Sequence, residues 1–279
     1  MGVDIALDDM PHDRTIEARS SDRAIAPKGR GEEWEKNEAP PSRPATVPAP
    51  AAARETNLLA PAYNLEQDAR EAAASAQSLA ELREQLLRFS GFGLKATATQ
   101  LVFGAGEAGA EVMFVGEAPG ADEDRQGVPF VGRAGQLLDK MLASISLDRD
   151  KVYIANVVPW RPPGNRTPTP LETAACLPFI RRQIELVAPK ILVCLGAPSA
   201  QTLLGSKEGI TRLRGRWFDY LAGDERIKAL AMLHPAYLLR QPAQKKLAWQ
   251  DLRLLAKGIA RLPGGVDKTS LEKTPGDGL

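Results

Sequence analysis

Residues 112–120, VMFVGEAPG, decide the fold, because they join a short apolar run to a turn that contains two glycines. The run is too short for a helix, and a continuous apolar stretch of this length is typical of a strand that is buried on both faces. Three further runs of this kind follow: VYIANVV at 152–158, ILVCLG at 191–196 and ALAML at 229–233. The sequence therefore predicts four strands of one buried sheet.

Helical patterns alternate with these strands. The predicted helices cover 132–145, 169–187, a short segment after Pro198, and 244–260. Helix also begins near residue 65, and Ser78 and Glu81 have the spacing of a capping box before an apolar helical repeat. Strands and helices that alternate along a chain favour a parallel sheet with helices on both faces. We therefore predict an α/β fold of three αβα layers around a central four-stranded parallel sheet.

The composition changes along the chain. Residues 1–62 are polar and rich in proline, so they bury too little apolar surface to offset the entropy of ordering, and we predict a disordered tail. We predict one domain at 63–262 and a flexible tail at 263–279. Residues 1–93 hold 11 Lys and Arg against 16 Asp and Glu, whereas 94–262 hold 23 against 16. A basic domain suggests an anionic partner, although this excess is modest and charge alone does not decide.

The composition also excludes several classes of protein. With 43% hydrophobic and 25% charged residues, the chain is neither a membrane protein, nor a collagen-like fibre, nor wholly disordered. Its two cysteines form no CxxC pair and exclude a disulfide scaffold, which predicts a reducing compartment, the cytoplasm. The first residues lack the features of a secretory signal, and no apolar run is long enough to cross a bilayer. We expect a monomer without a membrane partner.

Polar side chains follow the predicted strands. Ligands of open parallel sheets bind beyond the carboxyl ends of the strands. Glu117 follows the first strand, Asn156 lies at the end of the second, and His234 follows the fourth, so the three should converge on one cleft. The other histidine, His12, lies in the predicted tail. Each residue alone has a structural explanation, since Glu and Asn often cap turns and a single His is usually a surface or core residue. Their shared placement favours a functional site.

Three longer motifs resemble the family 4 uracil-DNA glycosylases. They are GEAPGADEDRQGVPFVGRAGQLLD at 116–139, NVVPWRPPGNRTPTP at 156–170 and HPAYLLR at 234–240, in the order of the family. The resemblance covers residues 79–260 and implies the four-stranded fold predicted above. It also implies an enzyme that flips uracil out of DNA and hydrolyses the N-glycosidic bond. The abasic site that results begins base-excision repair.

The resemblance implies roles for four residues. Phe130 matches the aromatic residue that stacks on the flipped uracil, and Asn156 matches the amide that distinguishes the uracil edge from cytosine. His234 matches the histidine that hydrogen-bonds to uracil O2 as negative charge develops there. Glu117 lies in the turn that faces the sugar and base, where it positions water or contacts the pocket wall. The structural alternatives are core packing for Phe130 and a strand-end turn for Asn156.

The turn after the first strand supplies the rest of the predicted substrate site, Gly116, Ala118 and Gly120. Ala118 occupies the place where the family 1 glycosylases carry an aspartate that orients water. Gly120 replaces a tyrosine that blocks thymine in family 1. The sequence leaves open which group activates water and which group excludes the 5-methyl group of thymine.

Six arginines are predicted to contact phosphates of uracil-containing DNA, single- or double-stranded. Phosphate contacts position the nucleic acid without reading its sequence. The six residues border the second motif, precede Trp217 in one loop, or end the last motif: Arg161, Arg166, Arg212, Arg214, Arg216 and Arg240. The loop at 212–216 either probes the gap left by flipping or is a solvated basic loop.

Family 4 enzymes usually hold a [4Fe–4S] cluster on four cysteines, and this sequence departs from that pattern. Only Cys176 remains at a ligand position, and Phe89, Phe92 and Trp160 occupy the other three. Cys194 lies within a predicted strand and is interpreted as a small buried residue. Because one thiolate cannot hold a cluster, we predict no metal and no iron–sulfur cofactor, with the aromatic rings filling the vacated volume.

Two alternatives to a uracil-specific enzyme stay open. One is a glycosylase of altered base range or slow turnover. The other is a DNA-binding relative that lost catalysis together with its cluster, although the retained Glu117, Phe130, Asn156 and His234 argue against it. The sequence has no Arg- and His-rich insertion like that of the superfamily branch that forms a covalent adduct. An assay on uracil-containing oligonucleotides separates these possibilities.

Overall fold

The structure, a computed structural model, describes residues 60–262. Residues 1–59 and 263–279, which include most of the predicted N-terminal tail and all of the predicted C-terminal tail, lie outside the described residues. The predicted tail extends to residue 62, whereas the first helix already begins at Ala60. The predicted domain bounds of 63–262 stay a prediction.

The sheet contains the four predicted parallel strands and one more. The strands are β1 (Val112–Gly116), β2 (Val152–Asn156), β3 (Ile191–Leu195), β4 (Trp217–Ala222) and β5 (Glu225–Met232). Their order is β2-β1-β3-β5-β4, and β1, β2, β3 and β5 are parallel, which confirms the predicted fold class. Every residue of β1, β2 and β3 is buried, as continuous apolar runs predict.

The fifth strand, β4, was not predicted. It pairs antiparallel with β5 across a two-residue turn in which Gly223 has a φ of 59°. Tyr220 is the buried residue of β4, while Asp219 is exposed and pairs with Lys228 of β5. An edge strand that is covered on one face lacks the continuous apolar run by which the other four strands were identified.

Nine α-helices surround the sheet in the described range. They are α1 (Ala60–Ser75), α2 (Leu79–Arg88), α3 (Ala121–Gln126), α4 (Arg133–Ala143), α5 (Pro170–Val187), α6 (Ala197–Leu204), α7 (Ile210–Leu213), α8 (Pro235–Arg240) and α9 (Lys245–Ile259). Thr169 and Glu172 form the capping box that begins α5. Ser78 caps α2, but Glu81 accepts from Gln77 N rather than from Ser78 N, so the second half of that predicted box is shifted by one residue. None of the described helices has the length and apolar character needed to span a membrane.

Apolar side chains pack on both faces of the sheet. Along β1, Met113 and Val115 belong to one cluster and Val112 and Phe114 to the other, which is the two-residue period of a strand. The first cluster includes side chains of α1, α2, α5 and α6, and the second includes side chains of α4, α8 and α9. The predicted three-layer arrangement is thereby confirmed.

The strand register fixes where the functional side chains meet. Gly116 at the end of β1 pairs with Asn156 at the end of β2, and Leu195 at the end of β3 pairs with Met232 at the end of β5. Because parallel strands end at the same edge of a sheet, the segments that follow them meet there. The turn after β1 and the segment that begins with His234 are two of these.

Candidate functional site

A cleft of about 600 Å³ lies at this edge of the sheet. Its volume is in the range of sites that enclose a small ligand. The predicted residues that line it are Glu117, Ala118, Gly120, Phe130, Asn156, Arg166, His234 and Arg240. The structure thus brings together the carboxylate, the amide and the imidazole that sequence placement alone assigned to one cleft.

Gly116 is buried beneath this cleft and lets two functional side chains approach the backbone. A Cβ at Gly116 would lie 2.5 Å from Asn156 Oδ1 and 2.7 Å from Phe130 Cζ. Both distances are shorter than real Cβ contacts, so any larger residue displaces the amide, the ring or both. The Phe130 ring in turn lies 5.4 Å from the His234 ring, measured between centroids.

Asn156 is only 4% exposed at the end of β2. Its side-chain amide makes no hydrogen bond with another residue in the part of the chain that the structure describes. Neither polar atom of this amide is both fully buried and unpaired among the described residues, so the amide faces the cleft that it lines. The donor and the acceptor of Asn156 are therefore both available to a molecule in the cleft.

His234 caps α8 with its own ring. Its Nδ1 accepts a hydrogen bond of 3.1 Å from Ala236 N, which leaves the proton of the neutral imidazole on Nε2. Burial, with a smaller contribution from the positive charge of Arg240, lowers the pKa of His234 to about 4. Gly196 has a φ of 88° and lies close to the histidine. A Cβ placed on Gly196 would be 3.1 Å from His234 Cβ. The imidazole is thus held neutral with its N–H available to the cleft.

Glu117 is the second titratable group at the site. Its Oε1 is buried and accepts no hydrogen bond from the described residues. Burial raises the pKa of Glu117 above its usual value. An unpaired buried carboxyl oxygen beside a cleft is an acceptor for a substrate hydroxyl or a water molecule.

Two charged residues that the sequence analysis missed hold the loops around the cleft. Glu123 of α3 accepts backbone hydrogen bonds from Gly120 (3.1 Å), Val131 (3.0 Å) and Gly132 (2.9 Å). Arg149 donates to the carbonyl oxygens of Pro129 and Phe130. The position of Glu123, three residues after a glycine turn, is a capping signal that the sequence offered. No sequence pattern marks Arg149, because its partners are backbone carbonyls.

The predicted DNA-binding arginines divide into three groups: those at the cleft, those exposed away from it, and Arg214, which is paired internally. Arg166 and Arg240 line the cleft. Arg166 also forms a bidentate ion pair with Glu172, which lowers the pKa of that carboxyl to about 2. Arg161 donates to Asn165 at the rim. Arg212 lies in α7 rather than in the predicted loop. Arg212 and Arg216 are exposed but do not line the cleft, and Arg216 pairs with Glu208.

Arg214 has an internal partner instead. Its guanidinium donates to both carboxylate oxygens of Asp251 on α9, at 2.9 and 2.7 Å, and to Leu247 O at 2.6 Å. The side chains of Arg214 and Asp251 are only 13% and 1% exposed. This geometry argues against the predicted phosphate contact for Arg214 and indicates that it anchors its loop to α9.

A second cationic surface, also missed from the sequence, lies on α9. Its exposed residues include five cations and one indole: Lys245, Lys246, Arg253, Lys257, Arg261 at the end of the helix, and Trp249. The only carboxylate of α9, Asp251, is buried against Arg214. Among the described residues, none of these five cations lies within 4.0 Å of a carboxylate. We call these six residues the α9 face.

The positions that match the iron–sulfur ligands form an aromatic cluster. Ring centroids lie 4.7 Å apart for Phe89 and Phe92, and 4.6 Å apart for Phe92 and Trp160. Phe179 packs on Phe89 and Phe92 at 5.5 and 5.7 Å. Cys176 is buried one helical turn before Phe179, and burial raises the pKa of its thiol.

This donor set does not fit a [4Fe–4S] cluster. Such a cluster needs four thiolates, whereas these positions offer one protonated thiol and three rings, of which Phe92 packs on the other two. Within residues 60–262, no group of three or more His, Cys, Asp or Glu side chains is placed to hold a metal ion.

Comparison with known proteins gives the same assignment as the motifs. A family model described as the Uracil DNA glycosylase superfamily matches residues 103–253, more than half of the chain. A type-4 uracil-DNA glycosylase of Archaeoglobus fulgidus is 39% identical over 185 residues, which cover 65% of this chain and 93% of the relative. Relatives with the same description from Thermotoga maritima and Sulfurisphaera tokodaii are 44% and 41% identical, and the matches cover 55% and 63% of this chain and 80% and 82% of theirs. Since the matched region contains all five strands and every residue that lines the cleft, the chain belongs to the uracil DNA glycosylase superfamily.

Proposed function

We propose that this protein is a monofunctional uracil-DNA glycosylase that removes uracil from DNA and leaves an abasic site. The observation that carries the proposal is the convergence of Phe130, Asn156 and His234 on one cleft, in a chain whose relatives are named type-4 uracil-DNA glycosylases. These residues suit a flipped pyrimidine, because they offer an aromatic ring for stacking, an amide that hydrogen-bonds to the edge of the base, and a neutral N–H donor.

Base selection rests on Phe130 and Asn156. Stacking on the Phe130 ring contributes about 1–3 kcal/mol per base but tolerates any base. The buried Asn156 amide donates to uracil O4 and accepts from N3–H. Cytosine has the opposite polarity at both atoms and leaves the amide unpaired, which is strongly unfavourable in a buried site.

Bond cleavage rests on His234. When the bond between C1′ and N1 breaks, its electron pair goes to uracil and negative charge accumulates on O2. The Nε2–H of the neutral imidazole donates a hydrogen bond to that oxygen. A donor placed where charge develops contributes about a hundred- to a thousand-fold in rate. A water molecule then bonds to C1′ and loses a proton, which completes the hydrolysis.

Glu117 is the residue we assign to that water. Its unpaired Oε1 is a hydrogen-bond acceptor in the turn that carries Ala118 and Gly120. Because Ala118 has no polar side chain, Glu117 is the carboxylate that this turn presents to the cleft. Glu123, in contrast, uses both oxygens on backbone N–H groups.

DNA binding is assigned to cations at the cleft and beyond it, most of them exposed, with Arg161 half-buried 3.9 Å from Asp124. Arg161, Arg166, Arg212, Arg216 and Arg240 contact phosphates next to the flipped nucleotide. The α9 face extends this surface, because α9 follows α8 closely along the chain and is bonded through Arg214 to the segment that carries Arg212 and Arg216. Arg and Lys bind phosphate without sequence preference, and Trp249, 45% exposed, offers a ring for stacking on an unpaired base.

We also propose that the protein works without an iron–sulfur cluster, as a monomer in the reducing cytoplasm. The aromatic cluster joins the segment that follows α2, the loop after β2 and α5, which are the segments that hold the four ligand positions. Both cysteines are free and buried, as expected of a chain kept under reducing conditions. No step of the proposed reaction passes through a metal.

The test is a single-turnover assay on oligonucleotides with one uracil, single-stranded or paired with G or A, and on matched oligonucleotides with cytosine or thymine. We expect cleavage of the uracil oligonucleotides alone, and His234→Ala should lose most of this activity while it still binds DNA. Absence of activity in the wild-type protein, or unchanged turnover in His234→Ala, would overturn the proposal.

A further inference from the structure

The backbone at Phe130 has a conformation that side-chain-bearing residues rarely adopt. Its φ is 55°, in the left-handed region that favours glycine. A bulky residue keeps this conformation only where its surroundings hold it, and such residues concentrate at functional sites. In this protein the conformation directs the phenyl ring into the cleft, against Gly116 and toward His234.

Two side chains of opposite charge bind the backbone groups at Phe130 and on either side of it. Arg149 Nη1 donates to Phe130 O at 2.9 Å, and Nη2 donates to Pro129 O at 2.6 Å. Glu123 Oε1 accepts from the N–H groups of the two residues that follow Phe130, at 3.0 and 2.9 Å. Four backbone polar groups of residues 129–132 are therefore bonded to two charged side chains rather than to each other.

The packing of helix α4 against the Phe130 carbonyl group leaves it no room to move. A Cβ on Gly135 of α4 would overlap this carbonyl group, so the helix packs directly against it. Asp139, one helical turn later, accepts from Arg149 Nη1 at 2.8 Å and orients the guanidinium. Arg149 itself is 28% exposed and does not line the cleft.

We infer that Arg149 is a positioning residue that acts on the reaction through Phe130. Its planar guanidinium bridges two consecutive carbonyl oxygens and fixes the left-handed turn that presents the ring to the base. A lysine has a single ammonium group and cannot bridge both oxygens in the same plane. This inference rests on the proposed stacking role of Phe130.

The first test is a double-mutant cycle of single-turnover rates on a uracil oligonucleotide. Arg149→Met and Arg149→Lys should each slow the reaction on the order of tenfold, within the range of coupling energies between interacting residues. In a Phe130→Ala background, Arg149→Met should have less than about a twofold effect, because the ring it positions is gone. Free uracil should also inhibit Arg149→Met less strongly than the wild type. The control is Arg70→Met, which removes an exposed arginine that pairs with Glu66 on α1.

Equal effects of Arg149→Met in the wild-type and Phe130→Ala backgrounds would overturn the inference, and so would a normal rate in Arg149→Met. A crystal structure of Arg149→Met gives a result that needs no activity. We expect residues 129–132 to move and φ of Phe130 to leave the left-handed region. An unchanged conformation of Phe130 in this variant would refute the inference, even if the wild-type protein proved inactive on uracil. If the wild type is inactive but Phe130 moves in the variant, only the proposed function is refuted.

Discussion

Replacing Gly116 with alanine adds one methyl group where the amide and the ring of the site meet. The backbone of Gly116 needs no positive φ, so the effect of this change is steric. The new Cβ would lie 2.5 Å from Asn156 Oδ1, whereas an ordinary contact begins at 3.4 Å, so the amide must move by about 0.9 Å. The Phe130 ring, at 2.7 Å, must move by a similar distance.

A displacement of this size matters because hydrogen bonds are made over a narrow range of distance. A misplacement of about 1 Å in a catalytic arrangement costs on the order of a hundredfold in rate. We therefore expect Gly116→Ala to lower the single-turnover rate on uracil DNA about a hundredfold. Affinity for an abasic-site duplex, measured by fluorescence anisotropy, should change little, because the proposed phosphate contacts are elsewhere.

Gly93→Ala is the matched control. Gly93 has no positive φ and no atom within 4 Å of its would-be Cβ, and it lies outside the cleft. Thermal melts of both variants show whether either change disturbs the fold. The reasoning is refuted if Gly116→Ala folds normally and cleaves uracil DNA within a factor of about two of the wild type.

The other predictions concern separate parts of the molecule. An NMR titration should find the His234 imidazole neutral, with its proton on Nε2, until the pH falls toward 4, because its pKa is lowered; a midpoint near 6.5 would contradict this. Phe92→Ala should destabilise the protein by about 3–5 kcal/mol in a denaturant melt, and purified wild-type protein should contain no stoichiometric iron; a chromophore near 400 nm (about four irons per chain) would contradict the aromatic replacement. Arg214→Met should cost about 3–5 kcal/mol of stability, because it leaves Asp251 buried without its partner. Arg212→Gln should leave stability unchanged and lower the salt slope of DNA binding by about one; the reverse pattern for these two arginines would show that their roles are exchanged.

The sequence predicts the parallel strands well, because a strand that is buried on both faces needs a continuous run of apolar residues. It predicts the cleft for a related reason: parallel strands end at one edge, so the residues after them must meet. β4 escaped prediction because one of its faces is exposed and its residues mix polar with apolar. These outcomes depend on local patterns of burial, which a sequence records.

Arg149 and Arg214 show what a sequence does not record. Arg149 acts on carbonyl oxygens about twenty residues away, and every residue has such an oxygen, so no pattern of side chains identifies its partners. Arg214 lies in a run of arginines that all look suited to phosphate, yet tertiary packing turns it toward Asp251. The direction in which a long charged side chain points is decided by contacts between distant segments.

The aromatic cluster limits which single substitutions its own positions can accept. Replacing one of its rings with cysteine opens a cavity in the packing and still leaves too few thiolates to hold a cluster. Phe92 packs on both Phe89 and Trp160, so the three positions are coupled through packing. A protein that works without a cluster, as we propose, does not depend on iron supply for its activity, and no single substitution at these positions restores four thiolates.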